Sequence, residues 1–265
     1  QRQMCIRDRM YEREIASRTC RSSFFNCLKN SAKQFYIRRG EGMYIISGFP
    51  WGVVLARNTF MAVPGLTLAI DHRADYESIM STALKALTHF ADTGELSKHI
   101  RGIDLPDIPL WAIWAIQQYA KTVGTDAARE LYMENVAQLV DYILRGGHPN
   151  LYIDKETGLL STDGHLHPAS WMNSELNGAP VVRRTGKLVE FNALWYNALM
   201  FASALAEGND TLSDRRQAWL DQADKMKQPF VDTFLNESGY LYDYVDGAYA
   251  EPCVRPVSYT HLTLP

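Results

Sequence analysis

What this sequence has little of narrows its function before anything it contains. Among 265 residues there are four cysteines, and Cys5, Cys20, Cys27 and Cys253 are too few and too scattered for a disulfide framework. A reducing, cytoplasmic setting is therefore expected. No apolar run approaches the roughly 18 residues that a membrane span requires, so no membrane partner is expected. Basic residues are in slight deficit, with a net charge of −3, which argues against nucleic acid as a partner. A glycine-rich phosphate loop, a Ser/His/Asp arrangement and a CxxC pair are all missing. His165-x-His167 alternates two histidines with no third ligand at a recognised spacing, so neither a metal nor another cofactor is expected.

The two ends read differently from the rest. Gln1–Asp8 (QRQMCIRD) and Val257–Leu264 (VSYTHLTL) can be encoded by opposite strands of one short DNA, as a translated sequencing adapter would be. Residues 1–9 and 256–265 are accordingly expected to be extraneous, and setting aside Arg2, Arg7, Arg9 and Asp8 makes the net charge more negative. Between them, residues 10–35 read as a linker helix and 36–255 as part of a larger catalytic domain.

Within that span the dominant signal is helical. Met10–Phe35 carries charge early and apolar Ile15, Phe24, Leu28 and Phe35 later. Tyr36–Arg39 and Met43–Ile46 flank a Gly-Glu-Gly turn as a β-hairpin would, and Ser47–Gly52 is a loop. Then follow pairs. Asn58–Ile70 is apolar nearly all round, whereas Ala74–Asp92 is two-faced. LWAIWAIQQYA, opened by a proline in its first turn, precedes the amphipathic Asp126–Leu144. Glu190–Ala206 precedes Ser213–Leu235, in which Pro229 is expected to produce a kink. A buried helix followed by an amphipathic one, three times over, predicts two concentric layers. An α-solenoid would alternate likewise, but its repeats are near-uniform in length, unlike the long connections Glu95–Leu105 and Asn150–Val189.

Polar and aromatic residues gather at four loop–helix junctions. FPWGVVLARN brings Trp51 close to Arg57 and Asn58, the latter a good helix N-cap on residue chemistry alone. DIPLWAIW sets Asp107 four residues before Trp111 on one helix face, although a helix-start aspartate above core tryptophans would look the same. Trp171-Met172-Asn173 lies in a polar loop, with Asp163 before it and Glu175 after it. Glu190 heads an apolar helix, where the helix dipole favours a carboxylate, with Asn192 and Trp195 beyond it. Arg183 and Arg184 are near enough to pair with Glu190 or to line a cleft.

These segments carry a resemblance. LVEFNALWYNAL, preceded by SWMN and supported by SGFPW and DIPLW, resembles the catalytic half of bacterial glycogen debranching enzymes of the amylo-α-1,6-glucosidase type, over roughly Ser31 to Arg255. The resemblance implies an all-α fold, here an incomplete (α/α)6 toroid with about six of twelve helices. It also implies hydrolysis of α-1,6 branch points in glycogen or a branched α-glucan oligosaccharide. An inverting glycosidase needs two carboxyl groups about 6.5–9.5 Å apart, one to protonate the leaving oxygen and one to activate water. Arg57-Asn58 stands where the family has an Arg-Asp pair that holds sugar hydroxyls; Asn58 keeps hydrogen-bonding capacity and loses the charge. Asn173 stands where many relatives have the general-acid Asp, and an amide has no carboxyl proton to give. Glu175, then Asp163, are the alternative acids, each needing a pKa raised by burial against an aromatic such as Trp171. Trp51, Arg57, Asn58, Asp107, Trp111, Trp171, Glu190, Asn192 and Trp195 are the expected substrate-binding residues. The family's base lies on a helix after Val254-Arg255-Pro256, so no turnover is expected of this chain. Other readings are an α-glucan-binding toroid that has lost its acid, another toroidal glycosidase of the glucoamylase or trehalase type, and a plain helical scaffold.

Overall fold

A computed structural model describes residues 8, 9, 11–13, 15, 16 and 18–255. Most of the stretches read as adapter, 1–7 and 256–265, lie outside the described residues, as does Met10.

The expected single helix Met10–Phe35 is not formed. Residues 18–23 are non-helical, and α1 (Phe24–Lys33) begins afresh where the Ser23 hydroxyl accepts from the Asn26 amide. Phe24 and Leu28 point to solvent, so their spacing reported no core face. The hairpin forms as read. Strands β1 (Tyr36–Arg39) and β2 (Gly42–Ile45) pair antiparallel, Tyr36 opposite Ile45, and β2 is buried against the helices.

Six further helices follow in pairs. They are α2 (Ala56–Leu66), α3 (Arg73–Thr93), α4 (Ile108–Val123), α5 (Thr125–Leu144), α6 (Val189–Leu205) and α7 (Ser213–Phe234). The apolar members α2, α4 and α6 lie side by side as an inner layer. The amphipathic α3, α5 and α7 pack behind them, so the alternation read from hydrophobicity is an alternation of layers. Asn58 is the third residue of α2, not its cap; Leu55 holds that place without a side-chain bond. Helix α7 continues through Pro229.

The inner helices run parallel and in register. Arg57 in the first turn of α2 meets Asp107 at the head of α4. Midway down, the side-chain amides of Gln117 on α4 and Asn197 on α6 exchange reciprocal hydrogen bonds at 2.9 and 3.0 Å. Parallel inner helices put three N-termini, and the long loops before them, at one end, the mouth. These helices are not buried all round. Asn58, Met61 and Gly65 on α2, Trp114 and Gln118 on α4, and Ala193, Tyr196 and Met200 on α6 leave a stripe outside the core, and Ala193 and Tyr196 border a groove with Met226 and Phe230 of α7.

The long stretch 145–188 is not structureless. It folds as β3 (Tyr152–Ile153) with β4 (Leu160–Ser161), then β5 (Glu175–Leu176) with β6 (Ala179–Pro180), and ends in β7 (Lys187–Leu188). Strand β7 pairs with β8 (Tyr244–Asp246), and β8 with β9 (Tyr249–Ala250). A bridge between Thr162 and Gly186 joins the β3–β4 ribbon to this sheet. Backbone groups of this long stretch are thereby paired within it and with β8, which is what allows it to lie against the core.

Candidate active site

Two buried charge centres occupy the mouth. In the first, Arg57 Nε donates to Asp107 Oδ2 at 2.5 Å and its Nη2 to Oδ1 at 2.8 Å, a bidentate pair. Trp111 Nε1, one turn further along α4, donates to the same Oδ2 at 3.1 Å. Asp107 flanks the N-terminus of α4 without capping it; its carboxylate turns to Arg57 instead. The shared helix face inferred for Asp107 and Trp111 is therefore present, but both residues are buried. Of the two stacked-edge indoles, Trp114 and not Trp111 keeps exposed surface.

His148 backs this centre. Its Nε2 donates to the Asp104 carbonyl at 3.0 Å, and its Nδ1 accepts the Asn150 amide at 3.0 Å, which fixes one neutral tautomer. Burial lowers its pKa, against the opposing pull of Asp104 and Asp107.

The second centre is built around Arg184. Its guanidinium donates to both carboxylate oxygens of Glu190, the Oε2 bond being 2.7 Å and the Oε1 partner closer. It also donates to Asp243 Oδ2 at 3.0 Å, to Asp243 Oδ1 at 2.6 Å and to Ser170 Oγ at 2.8 Å. Arg255 reaches Asp243 from outside at 3.1 Å. Burial opposes the charge of Arg184, but the bonds and charges of Glu190 and Asp243 outweigh it and hold its pKa above the ordinary value. One cation thus fastens the loop before Trp171, the first turn of α6 and the strand pair β8–β9.

That arrangement revises several expectations. Glu190 sits in the first turn of α6, where the dipole favours it, yet both its oxygens are taken by Arg184 and it is buried. Asn192 is fully buried; its amide clamps Leu160 N and O and the Leu188 carbonyl. It is a strut between β4 and α6 with no group left for a sugar. Trp195 is also fully buried, so its ring offers no stacking face. Asp243 and Ser170 were missed by the sequence reading, because short polar residues in connections give no periodic signal. His148 was missed for the same reason.

The remaining expected residues are open to solvent. Trp51 stands 91% exposed on the loop leading to α2, and Asn58 is exposed on the inner-layer stripe. Trp171, Met172 and Asn173 line a cavity of about 240 Å³ with Ser174, Val181 and Val182, and the Trp171 Nε1 is buried there without a protein partner. Neither charge centre contributes to that lining. Glu175 is exposed on β5. Asp163 is exposed too, and it lacks the raised pKa of an acid. The His165 amide donates to it at 2.9 Å and the His165 ring lies at 3.0 Å, which lowers its pKa instead. A solvated carboxylate with donors is held ionised. Among the described residues no three His, Cys, Asp or Glu side chains are grouped to hold a metal ion. No helix is long and apolar enough to cross a membrane among those residues.

Comparison with known proteins adds one finding. The family model described as amylo-alpha-1,6-glucosidase matches residues 30–265. No curated protein matches the chain.

Proposed function

The chain belongs to the amylo-α-1,6-glucosidase family, a family of glycogen-debranching glycoside hydrolases, and from that premise we propose that it forms the acid-side part of an inverting α-1,6-glucosidase acting on glycogen branch points. The observation that carries the reading is the common mouth. Three parallel inner helices begin at one end, with Arg57 and Asn58 in the first turn of α2; on this reading Trp51, Trp171 and Asn173, from the loops before α2 and α6, stand beside them. In an (α/α)6 ring the exposed stripes of α2 and α4 would face the lumen, so Trp114 and Asn58 would meet the glucan.

The paired residues take supporting roles. Asp107 fixes the buried Arg57 guanidinium at the head of α2, beside the sugar-binding surface. Arg184, through Ser170 and Glu190, fixes the loop bearing Trp171 and Asn173 to α6. Glu175, two residues beyond Asn173, is the acid candidate that remains, since Asp163 is held ionised. No water-activating base is assigned among the described residues.

A second reading keeps its place because Asn173 and Asp163 are both unsuited to donate a proton: an α-glucan-binding toroid without turnover. Release of glucose from a limit dextrin by the uninterrupted protein, abolished by Glu175→Gln, supports the hydrolase. Retained glucan binding with no release supports the binding module. Glucose release by the present chain would place a base among its own residues.

A further inference from the structure

A polar groove lies where β4, β7, the β8–β9 turn and the last turn of α7 meet. It encloses about 620 Å³, within the usual range of small-molecule sites. Tyr152, Asp163, His165, Lys187, Asp232 and Asp246 line it. We propose that this groove is a second carbohydrate site, which binds a neutral α-glucan chain through its hydroxyls and stacks one glucose ring on Tyr152. That the sugar is a glucan rests on the family reading above; the polyhydroxyl character of the ligand rests on the groove alone.

Charge excludes the first alternative. Three carboxylates face the groove, and its one ammonium, Lys187, is already engaged by Asp154 at 2.8 Å. An anion would be repelled. Apolar ligands would strand carboxylates and hydroxyls without partners. A metal ion needs converging ligands, and no such group of three exists among the described residues, so the carboxylates are spread along the groove. Spread acceptors suit an extended ligand with a hydroxyl every few ångströms.

The fixed parts fit the same ligand. Tyr152 is 51% exposed, and its hydroxyl donates to the Pro149 carbonyl at 2.8 Å. The ring is therefore held in place before any ligand arrives, which spares the ordering cost of stacking. Asp163, bonded by His165, stays an acceptor. The floor is rigid: Thr162 and Gly186 exchange backbone bonds at 2.9 and 2.8 Å. At Gly186 a Cβ would strike the Val245 carbonyl, so the strands are as close as glycine allows.

The test is titration of the ¹⁵N-labelled chain with maltoheptaose, followed by NMR. Amides of Thr162, His165, Gly186 and Gly247 are expected to shift on one saturable isotherm. Tyr152→Ala is expected to weaken that isotherm about tenfold, and Asp246→Asn, on an exposed turn, to weaken it less while leaving the fold intact. Trp171→Ala leaves it unchanged. Shifts confined to the surroundings of Trp171, indifferent to Tyr152→Ala, would overturn the groove site while leaving the glucan reading intact. Absence of shifts in the groove while the uninterrupted protein still releases glucose would do the same. Movement of the groove amides by calcium chloride instead of maltoheptaose would make it a cation site and end the proposal.

Discussion

The two ends of the inner helical layer are built from opposite materials. At the mouth, carboxylates sit on helix N-termini, Asp107 before α4 and Glu190 in α6, each held by a buried arginine. At the far end, two arginines sit on the C-terminus of α6: Arg129 Nε donates to the Leu205 carbonyl at 2.7 Å and Arg216 Nε to the Ser203 carbonyl at 3.0 Å. Both ends obey the helix dipole. They differ in how they are closed. The far end is sealed by rings: Tyr76 stacks on Tyr119 with centroids 5.1 Å apart, Tyr132 meets both edge-on, and Tyr119 donates to Glu77 at 2.5 Å. Connections there are short, Gly124 alone separating α4 from α5. The mouth is closed by long loops tied down with charge. Aromatic packing at one end sets the helices; charge pairing at the other sets the loops, and a binding surface is made of loops.

Breaking the mouth should cost most. Arg184→Met leaves Glu190 buried without a partner and Asp243 with Arg255 alone, a loss of about 3–5 kcal/mol, to be read as a fall in urea midpoint. Loop amides from Ser170 to Gly186 should lose hydrogen-exchange protection first. If the loss were no larger than an ordinary surface substitution, the two ends would not differ as argued. At the far end, Tyr119→Phe removes one hydrogen bond to Glu77, which keeps Arg73 as partner at 2.6 Å. About 1 kcal/mol is expected, with no change in glucan binding. The smallest effect sharpens the contrast through pH. Burial lowers the pKa of His148 below its unfolded value of about 6.5. The unfolded chain then binds more protons in acid, so this contribution is full above pH 6.5 and is lost as pH falls through the folded pKa. His148→Gln should flatten the fall of Tm between pH 7 and 5, and an unchanged slope would remove His148 from the account.

Much of this was legible in the residues. The six paired helices fall within four residues of their expected bounds, because three alternations of all-apolar and two-faced segments leave few other packings. Asp107 with Trp111, and Arg184 with Glu190, were readable as pairs from helix spacing and sequence proximity. Residues 18–23 were not, because a few apolar positions at loose spacing do not say whether a core exists to receive them. Asn192 and Trp195 looked like ligand-binding groups since their types suit sugars; burial was the deciding fact, and type does not report it.

The sequence by itself determined the layers and the family, since these follow from local periodicity and from extended motifs. Only the tertiary structure decided which polar residues are occupied and which are free. Arg57 with Asp107, and Arg184 with Asp243, are separated by 50 and 59 residues. A buried charge chooses its partner by distance in space, where the cost of leaving it alone is set, and that distance exists only once the chain has folded.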